Sequence, residues 1–474
     1  MAFENLNNLK HAPVSVIGAA RSGISATRAL RRLGADVTLS DAKPADSLGG
    51  AAVEAAATGA RCAFAATVDQ ALPGRTALVV TSPGVPASAP VLQAARERRI
   101  PIWSEIELAY RIARAPILAV TGTNGKTTTA MLLTAMLDES GKSAIVCGNV
   151  SADDVKRTLV EAAEAAPAEA FLVAEISSFQ LEWVEKFAPR VAILTNVTAD
   201  HLNRHRCFEE YVDAKARIFA AQCRDDWAVV GFDNPASRTV GHRDVRGRRI
   251  WFATQGPPPD SGPCAWLDGR TLLVRLACGA APVAVMRADE MPETLPGVHS
   301  IANVLAAASA ALAVGADPAA IRRAVRSFAG AAHRMERVGD VRGVRYVNNS
   351  MCTNVAAAVC SLEAMDRPTI VIAGGADKGL DFSPLAPVLF AKAKRVILIG
   401  AAADKMEAAI RAGGFDEVGR AESLEGAVEA AAAMAAPGDA VLLSPACASF
   451  DMFRDFEARG AAFRAAVRRL ETQN

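Results

Sequence analysis

A glycine turn between an apolar run and a helical stretch constrains this chain more than any other feature. Residues 116–121 have strand character, residues 130–137 have helical character, and between them stands Gly122-Thr123-Asn124-Gly125-Lys126-Thr127-Thr128-Thr129. Glycines let such a turn curl until its backbone N–H groups share one concavity, to which the helix N-terminus adds partial positive charge. Lys126 can reach the outer phosphates, and Thr127 or Thr128 can hold magnesium. The turn therefore predicts a triphosphate-binding loop.

This turn departs from the standard P-loop pattern at one position. Val120 stands where that pattern has its first glycine, so an ordinary glycine turn before a helix is the alternative. The Gly-Lys-Thr-Thr order at a strand-to-helix junction favours the phosphate-binding interpretation.

The composition excludes several classes of protein. With 51% hydrophobic and 22% charged residues the chain is globular rather than disordered, and its formal charge of +1 gives no field that attracts nucleic acid or an anionic membrane. Nine scattered cysteines without a Cys-x-x-Cys pair indicate a reducing compartment. We find neither a secretion signal nor a run of about 20 apolar residues. We expect a cytoplasmic protein, with about three domains for 474 residues.

A second glycine turn, near the N-terminus, predicts a Rossmann-like domain over residues 1–115. A strand over 14–17 leads through Gly18–Gly23 into a helix, and the next strand ends at Asp41. Ala20 replaces the middle glycine of the dinucleotide pattern. A phosphate or ribose at the turn, contacted by Asp41, is therefore one interpretation, and a Rossmann-like turn without a nucleotide is the other.

Polar residues follow the apolar strands of the middle region. Asn149 follows residues 144–148, Glu175 follows 171–174, and Asp200 and His201 follow the strand over 191–197. The carboxyl ends of parallel strands form the ligand crevice of an α/β sheet. A magnesium ion is the natural partner of a carboxylate such as Glu175 after so apolar a run, although an ion pair or a helix cap is the alternative.

Two further residues of the middle region remain ambiguous at this level. Lys215 lies on an amphipathic stretch and by itself reads as a solvated surface lysine. Asn303 lies on a predicted helix, where its amide can read an adenine edge or serve as a cap. The stretch 246–288 is rich in Gly, Pro, Arg and Asp and predicts a peripheral sheet or insertion.

The remainder of the chain, 331–474, alternates strands and helices and predicts a third α/β domain. Polar turns over 348–354, 374–379 and 444–449 each follow a predicted strand. We therefore expect these three turns to converge on one crevice.

These motifs together resemble the Mur ligases, and most of all the branch of that family that adds D-glutamate. The resemblance runs from about Val14 to the C-terminus. It is carried by Gly122–Thr128, Glu175–Glu182 (EISSFQLE), Asp200-His201-Leu202 and residues 444–460 (SPACASFDMFRDFEARG), the last being particular to the D-glutamate branch.

The resemblance implies an α/β chain of three domains. These are an N-terminal Rossmann-like UDP-binding domain (1–115), a central P-loop ATPase-type parallel sheet (116–330) and a C-terminal Rossmann-like domain that brings the amino acid (331–474). It implies that ATP phosphorylates the carboxylate of UDP-N-acetylmuramoyl-L-alanine, and that the amine of D-glutamate then displaces phosphate. Positioning and charge neutralisation carry most of such a reaction.

The resemblance also implies roles for individual residues. Lys126, Glu175, His201 and Lys215 are the expected catalytic residues. Two magnesium ions are expected, with Thr127, Glu175, His201 and a carbamylated Lys215 as ligands. Expected nucleotide contacts are Gly122, Thr123, Asn124, Gly125, Lys126, Thr127, Thr128, Asn303, Arg334 and Asn349. Expected contacts to the UDP-sugar are Arg21, Ser22, Asp41 and Asn149, and those to the amino acid are Thr353, Lys378, Ser449 and Phe456.

The chain departs from the family pattern at several positions. Where the family reads Asp-Ser-Lys-x-Thr-Asn, this chain has Asn349-Ser350-Met351-Cys352-Thr353-Asn354. Asn349 can still hydrogen-bond a hydroxyl, whereas Met351 cannot neutralise a carboxylate. Ser300 and Asn203 stand where asparagine and aspartate are usual.

Two other functions remain open at this level. A related ligase with another amino acid or acceptor, such as a folylpolyglutamate-synthase-like enzyme, shares the phosphate-loop motif but generally lacks a full UDP-binding domain. A non-catalytic nucleotide-binding paralogue is suggested by Asn349 and Met351. We expect a monomer that binds no nucleic acid and has no membrane-spanning segment.

Overall fold

The computed structural model describes residues 6–150, 157–201, 204–259 and 261–472. Strands and helices alternate through these residues. The strands are β1 Pro13–Ile17, β2 Asp36–Asp41, β3 Arg61–Phe64, β4 Leu78–Thr81, β5 Ile102–Ser104, β6 Ile117–Thr121, β7 Ala144–Gly148, β8 Phe171–Glu175, β9 Val191–Leu194, β10 Trp227–Gly231, β11 Arg248–Ala253, β12 Cys264–Asp268, β13 Thr271–Arg275, β14 Val283–Arg287, β15 Glu336–Val341, β16 Val344–Asn348, β17 Thr369–Gly374, β18 Ala393–Ile399, β19 Val418–Arg420 and β20 Ala440–Leu443.

The helices connect these strands. They are α1 Arg21–Arg32, α2 Ala45–Leu48, α3 Gly50–Ala56, α4 Val68–Ala71, α5 Pro90–Glu97, α6 Glu105–Ile112, α7 Lys126–Glu139, α8 Leu159–Ala165, α9 Ser178–Leu181, α10 Phe208–Ala216, α11 Pro235–Arg243, α12 Gly297–Ala313, α13 Pro318–Arg326, α14 Val355–Glu363, α15 Leu385–Lys392, α16 Ala403–Ala412, α17 Leu424–Met434 and α18 Phe456–Thr472. Among the residues described, no helix is long and apolar enough to cross a bilayer.

The strands form three sheets, each built mainly from parallel pairs. The first has five strands in the order β3-β2-β1-β4-β5, and the third has six in the order β15-β16-β20-β17-β18-β19. The second has nine strands in the order β14-β13-β12-β11-β10-β9-β6-β8-β7. In the second and third sheets, the inner strands β6, β9 and β20 are almost entirely apolar and are buried along their whole length, as parallel strands covered on both faces require. The prediction of an α/β chain with parallel sheets is confirmed.

The stretch 246–288 is continuous with the second sheet rather than a separate insertion. Strand β11 pairs in parallel with β10, β12 pairs in parallel with β11, and β13 then runs antiparallel to β12. The Gly- and Pro-rich composition that suggested an insertion belongs to the connections between these strands. The region therefore extends the central sheet at one edge.

The chain forms two compact units. The first unit comprises the chain up to Met286 together with the later segment Val304–Ala324. It holds the first two sheets, apart from the last residue of β14. The other comprises Arg287–Asn303 and the chain from Val325 onward, and holds the third sheet. Domain boundaries near residues 115 and 330 remain a prediction.

A buried glutamate joins the first two sheets within the first unit. The carboxylate of Glu107, on α6, accepts hydrogen bonds from the backbone N–H groups of Glu185, Lys186 and Phe187 at 2.9–3.0 Å. Arg111, one turn further along α6, donates to the same carboxylate at 2.7 Å. A buried carboxylate with so many donors fixes the loop after α9 against α6.

Glu105, at the start of the same helix, gives a pH-dependent stability that can be measured. Its Oε1 accepts from Gln180 at 2.7 Å, while burial raises the pKa of this carboxyl from 4.5 to about 7. The folded state thus binds the proton more tightly than the unfolded state, so stability falls as pH rises from about 4.5 through about 7. Glu105→Gln keeps an acceptor for Gln180 but has no proton to lose.

Between pH 4 and pH 8.5 we expect the free energy of unfolding of Glu105→Gln to rise by about 3 kcal/mol relative to that of the wild type. Urea unfolding at both pH values measures this difference. A difference between the two proteins that does not change with pH would contradict the assignment of the titration to Glu105.

Candidate active site

The predicted phosphate loop lies between β6 and α7 and is pinned by the residues that follow β9. Thr123 N–H donates to Asn196 O at 2.8 Å, and Asn124 N–H donates to Asn196 Oδ1 at 3.0 Å. Thr195 Oγ1 donates to Asn124 O at 2.6 Å. Gly122 has φ +148°, and a Cβ there would meet Thr195 Oγ1 at 1.9 Å, so the turn requires glycine. Strand β9 thus fixes the shape of the loop.

Two lysines bond to carbonyl groups of this loop. Lys126 begins α7, and its Nζ donates to Thr123 O at 2.9 Å. Lys215 Nζ, from α10, donates to Gly122 O at 2.8 Å. Lys215 is buried, and burial together with the nearby Lys126 charge holds its pKa well below the ordinary value. The interpretation of Lys215 as a solvated surface lysine is therefore wrong.

Glu175 meets the loop from the neighbouring strand, since β8 pairs with β6. Its carboxylate is fully buried and contacts Thr127 Oγ1, while Asn149 Nδ2 donates to it at 3.3 Å. No positively charged side chain forms an ion pair with Glu175 among the residues described. This hydroxyl and this carboxylate are the hard oxygen donors that Mg²⁺ prefers. The pair therefore fits a magnesium site.

The segment after β9 brings two histidines towards the same region. His201 lies beside Asp200, at 3.6 Å from Nε2 to Oδ2, and stacks edge-on against Phe179 with ring centroids 5.0 Å apart. His205 is buried, and its Nε2 is 3.0 Å from Ser178 Oγ. The His201 side chain is 38% exposed, whereas His205 is buried, so His201 is the more accessible of the two to a ligand. The neighbouring Leu202 and Asn203 lie outside the described residues.

The predicted metal ligands belong to four different residue types. Among the described residues, no three His, Cys, Asp or Glu side chains are grouped closely enough to hold a metal ion. The proposed ligands instead combine one carboxylate, one hydroxyl and one imidazole with Lys215, so this result does not test them.

The first sheet carries a cavity of about 780 Å³ at the carboxyl ends of β1, β2 and β4, within the size range of ligand pockets. Arg21, Ser22 and Asp41 line it. Both oxygens of Asp41 already accept backbone hydrogen bonds, from Ala19 at 2.8 Å and Lys43 at 2.9 Å. Asp41 therefore shapes the turn, whatever it contributes to a ligand.

Arg21 and Asn149 are placed by residues of the second sheet. Glu161, on α8, lies 3.8 Å from Arg21 and also accepts from Ser25 at 3.0 Å. Asn149 is exposed just after β7, and its backbone N–H donates to Glu175 O at 2.9 Å. Helix α8 thus orients the arginine at the edge of the cavity.

The predicted amino-acid residues come together at one edge of the third sheet. The three polar turns follow β16, β20 and β17, which are neighbours in that order, so their convergence is confirmed. Lys378 Nζ lies 3.5 Å from Thr353 O. Ser449 is buried in the turn after β20, and Phe456 begins α18.

The three predicted nucleotide contacts of the second unit are placed separately. Asn349 is buried and accepts from the Met335 N–H at 3.2 Å, close to the half-buried Arg334. Asn303 is buried on α12.

Comparison with known proteins identifies the family. Family models of the "Mur ligase middle domain" and the "Mur ligase, glutamate ligase domain" match residues 120–311 and 333–447. A UDP-N-acetylmuramoylalanine–D-glutamate ligase of Pelotomaculum thermopropionicum is 39% identical over 98% of this chain and 99% of its own length. The chain belongs to the Mur ligase family. Another ligase of that name, from Geobacter metallireducens, is 39% identical over 97% of this Mur ligase and 98% of its own length.

Solved structures agree on the fold of this Mur ligase. UDP-N-acetylmuramate-alanine ligase from Thermotoga maritima has a TM-score of 0.59 at 18% identity, over 98% of this chain and all of its own. A pseudomurein peptide ligase type C from Methanothermus fervidus has a TM-score of 0.57 at 17% identity, over 97% of this chain and all of its own.

Sequence reasoning missed several residues that build the site of this Mur ligase. Thr195 and Asn196 hold the phosphate loop, and their signal is that two polar residues end an apolar strand. Tyr211 faces Lys215 with its ring centroid 4.6 Å from Nζ. Arg459 lies within the 444–460 stretch, but nothing in that stretch indicates that it is buried, because an arginine in the first turn of a helix ordinarily lies at the surface.

Proposed function

We propose that this Mur ligase joins D-glutamate to UDP-N-acetylmuramoyl-L-alanine and uses ATP to activate the carboxylate, in the cytoplasmic synthesis of the peptidoglycan precursor. The 39% identity to D-glutamate ligases over nearly the whole chain carries the proposal. The phosphate loop, the buried Glu175 and the convergent turns of the third sheet supply places for the three reactants.

In the first step the substrate carboxylate attacks the γ-phosphorus of ATP, and ADP leaves. The loop from Gly122 to Thr128 binds the phosphates with its backbone N–H groups and the N-terminus of α7. Lys126 neutralises charge on the transferred phosphoryl group. Magnesium, held by Thr127, Glu175 and His201, would supply further charge neutralisation when bound.

In the second step the neutral α-amine of D-glutamate attacks the carbonyl carbon of the acyl phosphate. The C–N bond forms, the C–O bond to phosphate breaks, and the amine proton passes to solvent or the leaving phosphate. Thr353, Lys378, Ser449 and Phe456 would orient the amino acid, and Lys378 would face a carboxylate. Asn303, Arg334 and Asn349 would contact the nucleotide.

Lys215 fits the role of a carbamylated metal ligand. Burial lowers the pKa of its amine, so more of that amine is uncharged at a given pH than in an exposed lysine. A neutral amine adds to carbon dioxide, forming an N–C bond and releasing one proton. The resulting carbamate replaces a hydrogen-bond donor by two oxygen donors, which suit Mg²⁺.

The test is release of ADP and phosphate with UDP-N-acetylmuramoyl-L-alanine and a panel of amino acids. We expect turnover with D-glutamate and at least 100-fold less with D-alanine or L-lysine. L-Glutamate and D-aspartate complete the panel, because they differ from D-glutamate by configuration and by one methylene. Turnover with another amino acid but not with D-glutamate would overturn the assignment, and ATP binding without any turnover would favour a non-catalytic protein.

A further inference from the structure

Arg459, in the first turn of α18, is a large charged side chain that is buried against the third sheet. The side chain is only 1% exposed. Burial lowers the pKa of its guanidinium to about 10, so the group remains charged at neutral pH. A buried cation is costly unless it is paired. What balances this charge therefore needs an explanation.

Every hydrogen bond of Arg459's side chain goes to an oxygen that carries no formal charge. Nε donates to Ser350 Oγ at 3.0 Å, and the two Nη atoms donate to Ser350 O, Cys447 O and Ala448 O at 2.8–3.3 Å. In the part of the chain that the structure describes, no carboxylate pairs with it. Asp451, nearby in sequence, accepts instead from the Ala401 N–H at 2.9 Å. The donors of Arg459 are thus satisfied by uncharged oxygens, and the negative charge of Asp451 acts on the guanidinium only through space.

These bonds place Arg459 directly behind the proposed amino-acid site. Ser350 lies in the turn that carries Met351 and Thr353, and Ala448 precedes Ser449. A Cβ on Gly375, three residues before Lys378, would lie 3.1 Å from an Arg459 Nη atom and 2.3 Å from Ala448 O. The guanidinium therefore lies where all three turns meet.

Further bonds tie the same turns to one another around Arg459. Ser350 Oγ donates to Phe456 O at 2.8 Å, and Ala376 N–H donates to Ala448 O at 2.9 Å. Any movement of the guanidinium would therefore displace all the predicted amino-acid contacts together.

We infer that Arg459 is a positioning residue for the amino-acid substrate: it fixes the three turns, and its positive charge, which no carboxylate of the described residues pairs with directly, favours an amino acid with two carboxylates. The inference rests on the proposed function, since it assumes that the third sheet binds the amino acid. It also accounts for Met351. The chain lacks the lysine that the family pattern has at this position. Arg459, which bonds to the adjacent Ser350, takes over the electrostatic role of that lysine.

The test compares Arg459→Gln with Arg459→Lys and with Arg468→Gln, an exposed arginine on the same helix. We expect Arg459→Gln to raise the KM for glutamate at least tenfold and to leave the KM for ATP within twofold. Its Ki for glutamine, the neutral analogue of the same shape, should rise at least threefold less than the KM for glutamate, because glutamine loses the fixed turns but not the charge interaction. Arg459→Lys keeps the charge but has fewer donors, so its KM for glutamate should rise less than that of Arg459→Gln, whereas Arg468→Gln should stay within threefold.

A purely structural role gives a different pattern. Equal weakening of glutamate and glutamine, or equal loss in Arg459→Lys and Arg459→Gln, would overturn the inference. So would an unchanged glutamate KM in a folded Arg459→Gln variant. Wild-type enzyme that ligates no dicarboxylic amino acid would instead refute the proposed function.

Met351→Lys tests the same idea without disturbing Arg459. In the wild-type background we expect it to change the KM for glutamate less than threefold, because a cation already serves the site. In Arg459→Gln we expect it to recover at least fivefold of the loss. If Arg459→Gln does not fold, a tenfold fall in KM from Met351→Lys alone would show that the site lacks the cation assigned to Arg459.

Discussion

Replacing Lys126 by methionine is expected to lower kcat roughly 10³-fold, the loss typical of removing one preorganised charge from a reacting group. Lys126 begins α7, and its ammonium already bonds to Thr123 O, so it lies within the phosphate loop before any ligand arrives. Methionine keeps most of the length and volume of the lysine stem but none of its charge. The KM for ATP should rise far less than kcat falls, because backbone N–H groups supply much of the ground-state binding.

Steady-state ADP release measures this effect, with thermal unfolding as a check that Lys126→Met folds. Lys186→Met is the matched control, because Lys186 is an exposed lysine of the same unit whose side chain lies outside the loop. A Lys126→Met enzyme that keeps more than a tenth of wild-type kcat would contradict the role given to this residue.

Features that depend on the carboxyl ends of parallel strands were predictable from the sequence. Asn149 follows β7, Glu175 is the last residue of β8, and the phosphate loop follows β6; these three strands are neighbours in the second sheet. Each residue could therefore be placed from an apolar run and the polar residue after it. The same reasoning predicted that the three turns of the third sheet converge.

Contacts that join distant segments could not be predicted in this way. Glu107 is buried because three backbone N–H groups come from a loop nearly 80 residues later, and helical periodicity says nothing about that loop. Lys215 reads as a surface lysine because its helix is amphipathic, and only the packing of α10 against the phosphate loop buries it. The burial of Arg459 could not be predicted either, because it depends on packing of α18 against the turns after β16 and β20.

Asp41 shows a further limit of sequence reasoning. Its place after β2 predicts a ribose or base contact, yet both of its oxygens bond to backbone N–H groups of adjacent turns. A carboxylate after a strand can therefore serve the turn itself. The structure does place Asp41 in the lining of the cavity. A contact between Asp41 and a ligand stays a prediction.

Lys215→Ala is expected to lower kcat by roughly 10²–10³-fold, the effect of losing a ligand and the orientation that it gives. A lost carbamate and a lost ammonium would both inactivate the enzyme, so the variant alone does not distinguish them. A small carboxylate does, because acetate or formate can enter the space left by the truncated side chain and supply two oxygens. We therefore expect either ion to restore activity to Lys215→Ala, and methylamine to restore none.

The wild-type enzyme gives an independent signature of the same modification. Incubation with ¹³C-labelled bicarbonate should produce a carbamate resonance in the ¹³C spectrum that is absent from Lys215→Ala and from Lys215→Arg. Because burial holds the pKa of Lys215 below its ordinary value, the reactive neutral amine persists to a lower pH than in an exposed lysine and is lost as pH falls through that lowered pKa. The resonance should weaken over the same pH range. Rescue of Lys215→Ala by methylamine rather than acetate would instead assign the catalytic role to the ammonium.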